Sequence, residues 1–129
     1  MMVSGMDGAR GELVIRVTAM PTDLNPYGGV FGGWLMCQLA LGASSLATRR
    51  SGHKAILVAA TDFTFPAAMG VGDELSVYAE LVRTGRTSMT VQAVGVGRER
   101  AGEAAQQVAA GTFTFVAVDE MDRPRPLTD

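Results

Sequence analysis

The sequence contains little of what cross-links, metal sites and membrane segments require. Its 129 residues include one cysteine, Cys37, and one histidine, His53. A single cysteine excludes an internal disulfide and is typical of a reducing compartment, so we expect a cytoplasmic protein. A single histidine excludes a paired-histidine metal site, and we predict no metal ligands. No apolar run approaches the ~20 residues that span a bilayer, and residues 1–11 lack the apolar core of a signal peptide.

An excess of charge of one sign is also missing. The 11 basic and 13 acidic residues give a formal net charge of −2, so we expect neither a nucleic acid nor a membrane surface as a partner. Hydrophobic residues, by contrast, make up 47% of the chain, and the mean hydropathy is +0.19. A chain of this length forms one domain with a real core. The excess of apolar residues predicts a subunit interface in addition.

Hydrophobic patterning predicts one strand, one long helix and then four strands. Glu12 to Met20 alternates between apolar and polar residues, whereas Gly33 to about Arg49 has a broad apolar helical face that ends near Gly52. A sheet curled around a single apolar helix is the arrangement that this order favours. We predict a flexible N-terminus over 1–11, one domain over 12–118 and a flexible tail over 119–129. The later strands are predicted at 55–65, 73–83, 88–97 and 104–118, with a hairpin turn at Thr84-Gly85.

The start of the helix carries the strongest chemical signal. A polar, Gly-rich loop leads into Phe31-Gly32-Gly33-Trp34, where no Ser, Thr or Asp occupies the usual capping position. An uncapped first turn leaves backbone N–H groups free at the positive end of the helix dipole. Glycines there let a ligand oxygen approach the backbone, so Gly32 and Gly33 predict a site for a polarised carbonyl group. The residues alone equally allow glycines that serve only tight packing.

This region resembles the acyl-CoA thioesterases of the hotdog-fold superfamily, in particular the small bacterial acyl-CoA hydrolases. Two further motifs follow in the family's order, Val71-Gly72-Asp73 and Gly85-Arg86-Thr87-Ser88. The resemblance covers about Glu12 to Val118. It implies an α+β hotdog fold, with a long central helix wrapped by a curved antiparallel sheet of about five strands. The residues that match the family's loop-and-helix pattern are Asn25, Gly28, Phe31, Gly32, Gly33 and Trp34.

The resemblance also implies an activity and an assembly. The reaction would be hydrolysis of acyl-CoA to a fatty acid and CoA, with no cofactor other than the coenzyme A of the substrate. The oxyanion would be held at Gly32 to Trp34, in a site formed between protomers. A dimer is then the minimum unit, with a tetramer or hexamer above it.

The resemblance assigns roles to several further residues. Asn25 would orient a water or the thioester, although Asn before Pro26 is also a common turn residue. Phe31 and Trp34 would line the acyl pocket. The turn residues Arg86, Thr87 and Ser88 would contact the CoA phosphates or pantetheine, and a solvated hairpin tip is the alternative. Arg83, Arg98 and Arg100 would serve the nucleotide equally well.

One position departs from the family. The catalytic Asp of its helix falls on Ala40, which can act neither as a general base nor as a nucleophile. No Asp or Glu occurs between Gly28 and Asp62. Three explanations stay open: a base drawn from elsewhere, such as Asp62 or Asn25; a natural acyl-CoA binder without catalysis; or an engineered Asp-to-Ala form. The alternative function is therefore a catalytically impaired or non-enzymatic acyl-CoA-binding hotdog protein.

Asp62 is the leading candidate for a replacement base. It is the one carboxylate in an otherwise apolar central strand, and we hypothesise that it faces the pocket; the alternative is an outward-facing or hydrogen-bonded strand residue. Asp23 and Thr61 are weaker candidates of the same kind. Cys37 is expected to be a small buried side chain rather than a nucleophile. Hotdog enzymes that hydrate or dehydrate acyl thioesters usually carry a catalytic His on a loop before the helix. Because His53 lies after the helix, the resemblance disfavours that activity here.

Overall fold

The computed structural model describes residues 11–128, which form one helix packed against a curved five-stranded antiparallel sheet. The predicted order of elements and the predicted architecture are confirmed. The strand order in the sheet is β1-β3-β4-β5-β2, so β1 and β2 are its two edges. Residues 1–10 of the predicted flexible N-terminus lie outside the described residues. The elements are β1 (Glu12–Thr18), a short 3-10 turn (Pro21–Asp23), α1 (Gly32–Ser51), β2 (Lys54–Thr64), β3 (Glu74–Thr84), β4 (Ser88–Arg98) and β5 (Ala105–Val118).

Helix α1 begins and ends as its sequence predicts. Phe31 occupies the N-cap position and makes no side-chain capping hydrogen bond. At the other end Gly52 adopts the left-handed conformation, with φ of 74°, and its N–H donates to the carbonyl of Thr48. Glycine has no Cβ to oppose this conformation, so Gly52 is a favourable stop signal.

The core lies between one side of α1 and the concave face of the sheet. Leu35, Leu39 and Leu46 of the helix are buried there. The helix packs tightly on the sheet at Gly42, where an added Cβ would lie 2.6 Å from Cγ2 of Val14. The inward-facing side chains of the sheet alternate along each strand. They include Leu75, Val77, Ala79, Met89, Val91, Ala93, Phe113, Phe115 and Ala117.

Within residues 11–128, the opposite side of α1 is not covered by any other element. We call this side the helix stripe; Leu41 lies on it with 59% of its surface exposed. Edge strand β2 is also open, and Val58 is 57% exposed. Several exposed apolar side chains on neighbouring elements are typical of a protein–protein interface. Cys37, expected to be buried, is exposed on the stripe, because it lies on the side of the helix that faces away from the sheet. The helix stripe comprises Met36, Cys37, Ala40, Leu41, Ser44 and Ser45.

The C-terminal segment, residues 119–128, differs from the free tail expected over 119–129. It turns back at Asp119 and hydrogen-bonds to the end of β5 and to the β3–β4 turn. The physical reason is that β5 runs beyond the first residue of β4, which leaves backbone groups of β5 available to the returning chain. The charges and prolines of this segment are visible in the sequence, and they predict a flexible tail. The hydrogen bonds to β5 and to the β3–β4 turn that hold the segment are not visible there.

Candidate active site

The antiparallel topology gives the molecule two ends. At the helix-start end, α1 begins beside residues 65–73, and the Val30 N–H donates to the carbonyl of Met69. At the turn end, α1 finishes near the last residues of β5 and residues 119–125, and Leu127 of the same C-terminal segment donates its N–H to Arg86 of the β3–β4 turn. The predicted carbonyl site lies at the first end and the predicted CoA-phosphate contacts lie at the second. The 20-residue helix separates them by ~30 Å within one chain.

Two backbone N–H groups at the helix start are available to a ligand. Within residues 11–128, the N–H groups of Gly32 and Gly33 have no hydrogen-bond acceptor. Trp34, also considered from the sequence, differs, because its N–H donates to the carbonyl of Phe31 at 3.0 Å. A first helical turn with free N–H groups attracts negative charge. The structure therefore places two donors, rather than three, where a developing oxyanion would be stabilised.

The surroundings of the two glycines differ. A Cβ at Gly33 would lie 2.5 Å from Cε2 of Phe31, so a larger residue there would displace this half-exposed ring. A Cβ at Gly32 would lie 3.8 Å from the ring of Phe65, which is an ordinary contact. Steric packing therefore does not explain the glycine at position 32. The ring of Phe31 is 54% exposed and Trp34 packs partly buried on the core, so these two side chains border the helix start.

Asn25 fulfils the turn role that was its alternative interpretation. Its Oδ1 accepts hydrogen bonds from the N–H of Tyr27 at 2.7 Å and of Gly29 at 3.3 Å. A carboxamide nitrogen is not basic, and its oxygen is engaged here, so Asn25 does not qualify as the missing base. Its Nδ2 donors have no hydrogen-bond acceptor in the described part of the chain. The residue is therefore equipped to donate to an oxygen, as an orienting group does.

Asp62 does not face the helix start within its own chain. It lies exposed on edge strand β2 with φ of 58°, where the pairing register shifts between Thr61 and Thr64. Thr61 Oγ1 donates to Asp62 Oδ2 at 3.4 Å. Thr61 pairs with Thr112, which pairs with the exposed Gln92, so this row lies on the face away from the helix. The position is a β-bulge in which Asp tolerates the left-handed conformation.

Asp23 is linked much more closely to the helix start. Its backbone carbonyl accepts the N–H of Phe31 at 2.8 Å, and the residue is partly buried. Its Oδ2 accepts the N–H of Met20 at 2.8 Å, which closes the short 3-10 turn. The sequence ranked Asp23 below Asp62 as a candidate base, because it does not show that the loop folds back onto the helix start. The Pro21-x-Asp23 pattern directly before the Gly-rich loop is a turn signal that points to this arrangement.

Ala40 lies two helical turns into α1 and is partly buried at the margin of the helix stripe. Its neighbours one turn away on the same side are Cys37 and Ser44. No carboxylate of α1 stands near it, since α1 contains none. Whatever activates water must therefore come from another element or from another chain.

The arginines considered for the nucleotide fall into two groups. Arg83 and Arg86 are exposed at the turn end, and their guanidinium groups have no carboxylate partner among residues 11–128. Arg98 is committed elsewhere: it pairs with Glu74 at 3.2 Å and donates to the carbonyls of the loop after β4. We therefore correct the suggestion that Arg98 serves the nucleotide equally well. Its charge is used to hold a loop at the opposite end.

Charge separates the two ends further. A cleft of about 990 Å³ at the helix-start end is bordered by Asp73, Glu99 and Glu103, which disfavours phosphate there. At the turn end, a hydrogen bond to Asp122 raises the pKa of Lys54 above its usual 10.5. Over residues 11–128 no group of three potential metal ligands occurs. In the same range no helical segment has the length and hydropathy of a membrane span.

Comparison with known proteins gives consistent matches. Residues 27–104 match the family described as Thioesterase superfamily. An uncharacterized acyl-CoA thioester hydrolase of Zymomonas mobilis is 47% identical over 114 residues, covering 88% of this chain and 76% of that protein. The acyl-CoA thioester hydrolase YciA of Salmonella typhimurium is 38% identical over 121 residues, covering 92% and 91%.

Solved structures agree with these matches. The Asp-to-Ala mutant of a hexameric broad-specificity acyl-coenzyme A thioesterase aligns with a TM-score of 0.88 and 34% identity, covering 92% of this chain and 87% of that one. A hexameric hotdog fold thioesterase of Campylobacter jejuni aligns with a TM-score of 0.84 and 27% identity, covering 90% of each chain.

Proposed function

The chain belongs to the Thioesterase superfamily and has its hotdog fold, and from this premise we propose that it hydrolyses acyl-CoA thioesters to a carboxylic acid and free CoA. The observation that carries the proposal is the uncapped start of α1, with the free N–H groups of Gly32 and Gly33. When water adds to the thioester carbon, the carbonyl oxygen becomes an oxyanion. These donors stabilise that charge more than the neutral carbonyl, which lowers the barrier. The C–S bond then breaks, and CoA leaves as its thiolate.

We place the substrate between two protomers. Strand β2 hydrogen-bonds to β5 along one side only, and its other side is an open edge with exposed apolar side chains. A two-fold pairing of β2 with β2 of a second copy would be antiparallel and would bury both helix stripes. That pairing sets the turn end of one chain beside the helix-start end of the other. The partner's Arg86 would thereby approach Gly32, although the two lie ~30 Å apart within one chain. We propose that such dimers assemble further into a hexamer, because the structural neighbours are hexameric thioesterases.

The distribution of charge supports this orientation of CoA. Arg83 and Arg86 are unpaired at the turn end and suit phosphate by charge and by their forked donors. The acidic cleft at the helix-start end does not suit phosphate. The nucleotide would therefore bind the partner's turn, and the pantetheine arm would carry the thioester to the helix start. Phe31 and Trp34 would contact the acyl chain. We propose that the protein works in the cytoplasm, where its single thiol stays reduced.

We assign activation of the water to Asp23. Its carbonyl is hydrogen-bonded to Phe31, so its carboxylate belongs to the loop that ends at the free N–H groups. Oδ2 is engaged by Met20, which leaves Oδ1 to accept a proton from the attacking water. The Nδ2 donors of Asn25 would hold that water. In this arrangement a loop carboxylate replaces the helix carboxylate that is missing at Ala40.

One observation favours a second candidate function. Helix α1 carries no carboxylate, and Ala40 stands where the resemblance expects the catalytic Asp, as in a protein that binds acyl-CoA without hydrolysing it. In a protein that only binds acyl-CoA, the helix start would still bind the thioester carbonyl and the arginines would still bind the phosphates. Such a protein would be stabilised thermally by CoA but would release no thiol from acyl-CoA.

The test is thiol release from acyl-CoAs of increasing chain length by the natural chain and by three variants. Asp23→Asn keeps an oxygen for the Met20 N–H and removes only the base, so kcat should fall about 10²- to 10⁴-fold. Asp62→Asn is the matched control, with the same change of charge, and should stay near the natural rate. A loss confined to Asp62→Asn would reverse the assignment. If the natural chain releases no thiol but Ala40→Asp does, the chain would be a binding protein that retains an intact pocket.

A further inference from the structure

The C-terminal segment, residues 119–128, occupies a place in the sheet that no strand fills. Val116 of β5 pairs with Ser88, the first residue of β4, so the last residues of β5 extend past β4. Asp119 Oδ1 accepts the N–H of Met121 at 2.8 Å and of Arg123 at 3.0 Å, which reverses the chain. The Arg125 N–H then donates to the carbonyl of Ala117 at 2.9 Å. The segment thus lies beside β5 where β4 has not yet begun.

This placement brings the segment onto the β3–β4 turn. The Leu127 N–H donates to the carbonyl of Arg86 at 3.0 Å, and the Ala117 N–H donates to the carbonyl of Thr87 at 2.9 Å. Consecutive carbonyls of the turn are therefore held by different elements, one by β5 and one by the C-terminal segment. The Leu127 side chain packs against the hydrophobic core, and Pro126 restricts the backbone just before it.

The charges of the segment are arranged so that they do not neutralise the turn. Asp122 pairs with Lys54 at 2.6 Å, and Asp119 pairs with Arg123 at 3.3 Å. These carboxylates are thus satisfied locally, while Arg86 has no carboxylate partner within the described 118-residue stretch from 11 to 128. An arginine on a fixed backbone with an unpaired guanidinium loses less conformational entropy on binding an anion than one on a mobile hairpin tip.

We propose that the C-terminal segment is a positioning element of the CoA-binding site, which holds the Arg86 turn ready for the phosphates of CoA. The inference rests on the proposed function and extends it to residues outside the loop, helix and turn. Leu127 acts through Arg86 and touches no substrate. Loss of its hydrogen bond should therefore weaken binding of the nucleotide without changing the chemistry at Gly32 and Gly33.

Leu127→Pro tests this directly, because it removes the N–H that Arg86 accepts. Leu127→Ala is the matched variant: it keeps the N–H and removes the side-chain packing. Each is assayed on an acyl-CoA and on the same acyl group carried by N-acetylcysteamine, which has no phosphates. For Leu127→Pro we expect KM for acyl-CoA to rise about three- to tenfold, with kcat nearly unchanged. The kinetics on the N-acetylcysteamine thioester should not move.

Arg86→Ala provides the second readout. Like Leu127→Pro, it should raise KM for acyl-CoA and leave the kinetics on the N-acetylcysteamine thioester unchanged. The double variant should have nearly the same KM as Arg86→Ala alone, because both changes remove the same contact between Arg86 and the phosphates. Equal effects of Leu127→Pro on both substrates, full additivity with Arg86→Ala, or an unchanged KM for acyl-CoA would overturn the proposal. If the natural chain hydrolyses neither substrate, the proposed function fails. CoA affinity measured by calorimetry then decides the positioning role: weaker binding to Leu127→Pro supports it and equal binding refutes it.

Discussion

Leu41 offers the sharpest quantitative test of where two copies of the chain meet. It lies at the centre of the helix stripe, and 59% of its surface is exposed in the single chain. If the stripe is buried against its two-fold copy, Leu41→Ala removes apolar contact from both protomers at once. We predict that the variant folds normally but dissociates at concentrations at which the natural chain stays assembled.

The magnitude follows from the exposed fraction. Leu→Ala deletes three CH₂-sized groups at about 0.8 kcal/mol each, roughly 2.4 kcal/mol for complete burial. Because 59% of Leu41 remains to be buried on assembly, about 1.4 kcal/mol is lost per copy, or about 2.8 kcal/mol per symmetric pair. At ~1.4 kcal/mol per factor of ten, the dissociation constant should rise about a hundredfold.

Sedimentation velocity over a dilution series measures this constant, and thiol release at each dilution reports whether the site needs both protomers. Leu13→Ala is the matched control, since Leu13 is 44% exposed but lies on β1, the sheet edge opposite β2. It should dissociate like the natural chain. Equal weakening by both substitutions, or none by Leu41→Ala, would refute the placement of the interface on the helix stripe.

Three further predictions concern stability and pH. Gly42→Ala should destabilise the fold by about 1–3 kcal/mol in chemical denaturation, because its Cβ would lie 2.6 Å from Val14 Cγ2; a stabilised variant would contradict the close packing. Gly52→Ala should lower the free energy of unfolding by roughly 1–2 kcal/mol, because alanine is strained at the left-handed φ of 74° while its Cβ would contact no other atom. An unchanged denaturation midpoint would contradict this account of the helix end. The N–H of Arg123 lowers the pKa of Asp119 below its usual 3.8. The stability contributed by the Asp119 turn is thus present above pH 3.8 and lost as pH falls through the lower folded value. An NMR titration that gave Asp119 a pKa of 3.8 or more would contradict this.

Much of the fold could be predicted because its signals are local. Alternation of apolar and polar residues marks the strands, and Gly52 marks the helix end through its own backbone preference. The uncapped helix start was also visible, since the absence of Ser, Thr or Asp before Gly32 is a property of a few adjacent residues. The family resemblance rested on the same short motifs and is confirmed by the comparisons.

What the sequence did not reveal depends on contacts between distant segments. The direction of Asp62 follows from a bulge that turns Phe63 inward onto Phe113, with ring centroids 5.5 Å apart. The commitment of Arg98 depends on Glu74, a residue on the neighbouring strand. The order of the C-terminal segment likewise depends on the length of β5 relative to β4. No single-sequence pattern encodes these partners.

The most direct test of the central claim is thiol release from a series of acyl-CoAs by the assembled natural chain, with its melting temperature measured in CoA in parallel. We expect turnover of acyl-CoA together with an increase in melting temperature, because under the proposed function the helix start and the arginines of the turn would bind one substrate. A melting temperature raised by CoA without any thiol release would contradict hydrolysis and identify the chain as an acyl-CoA-binding member of the superfamily.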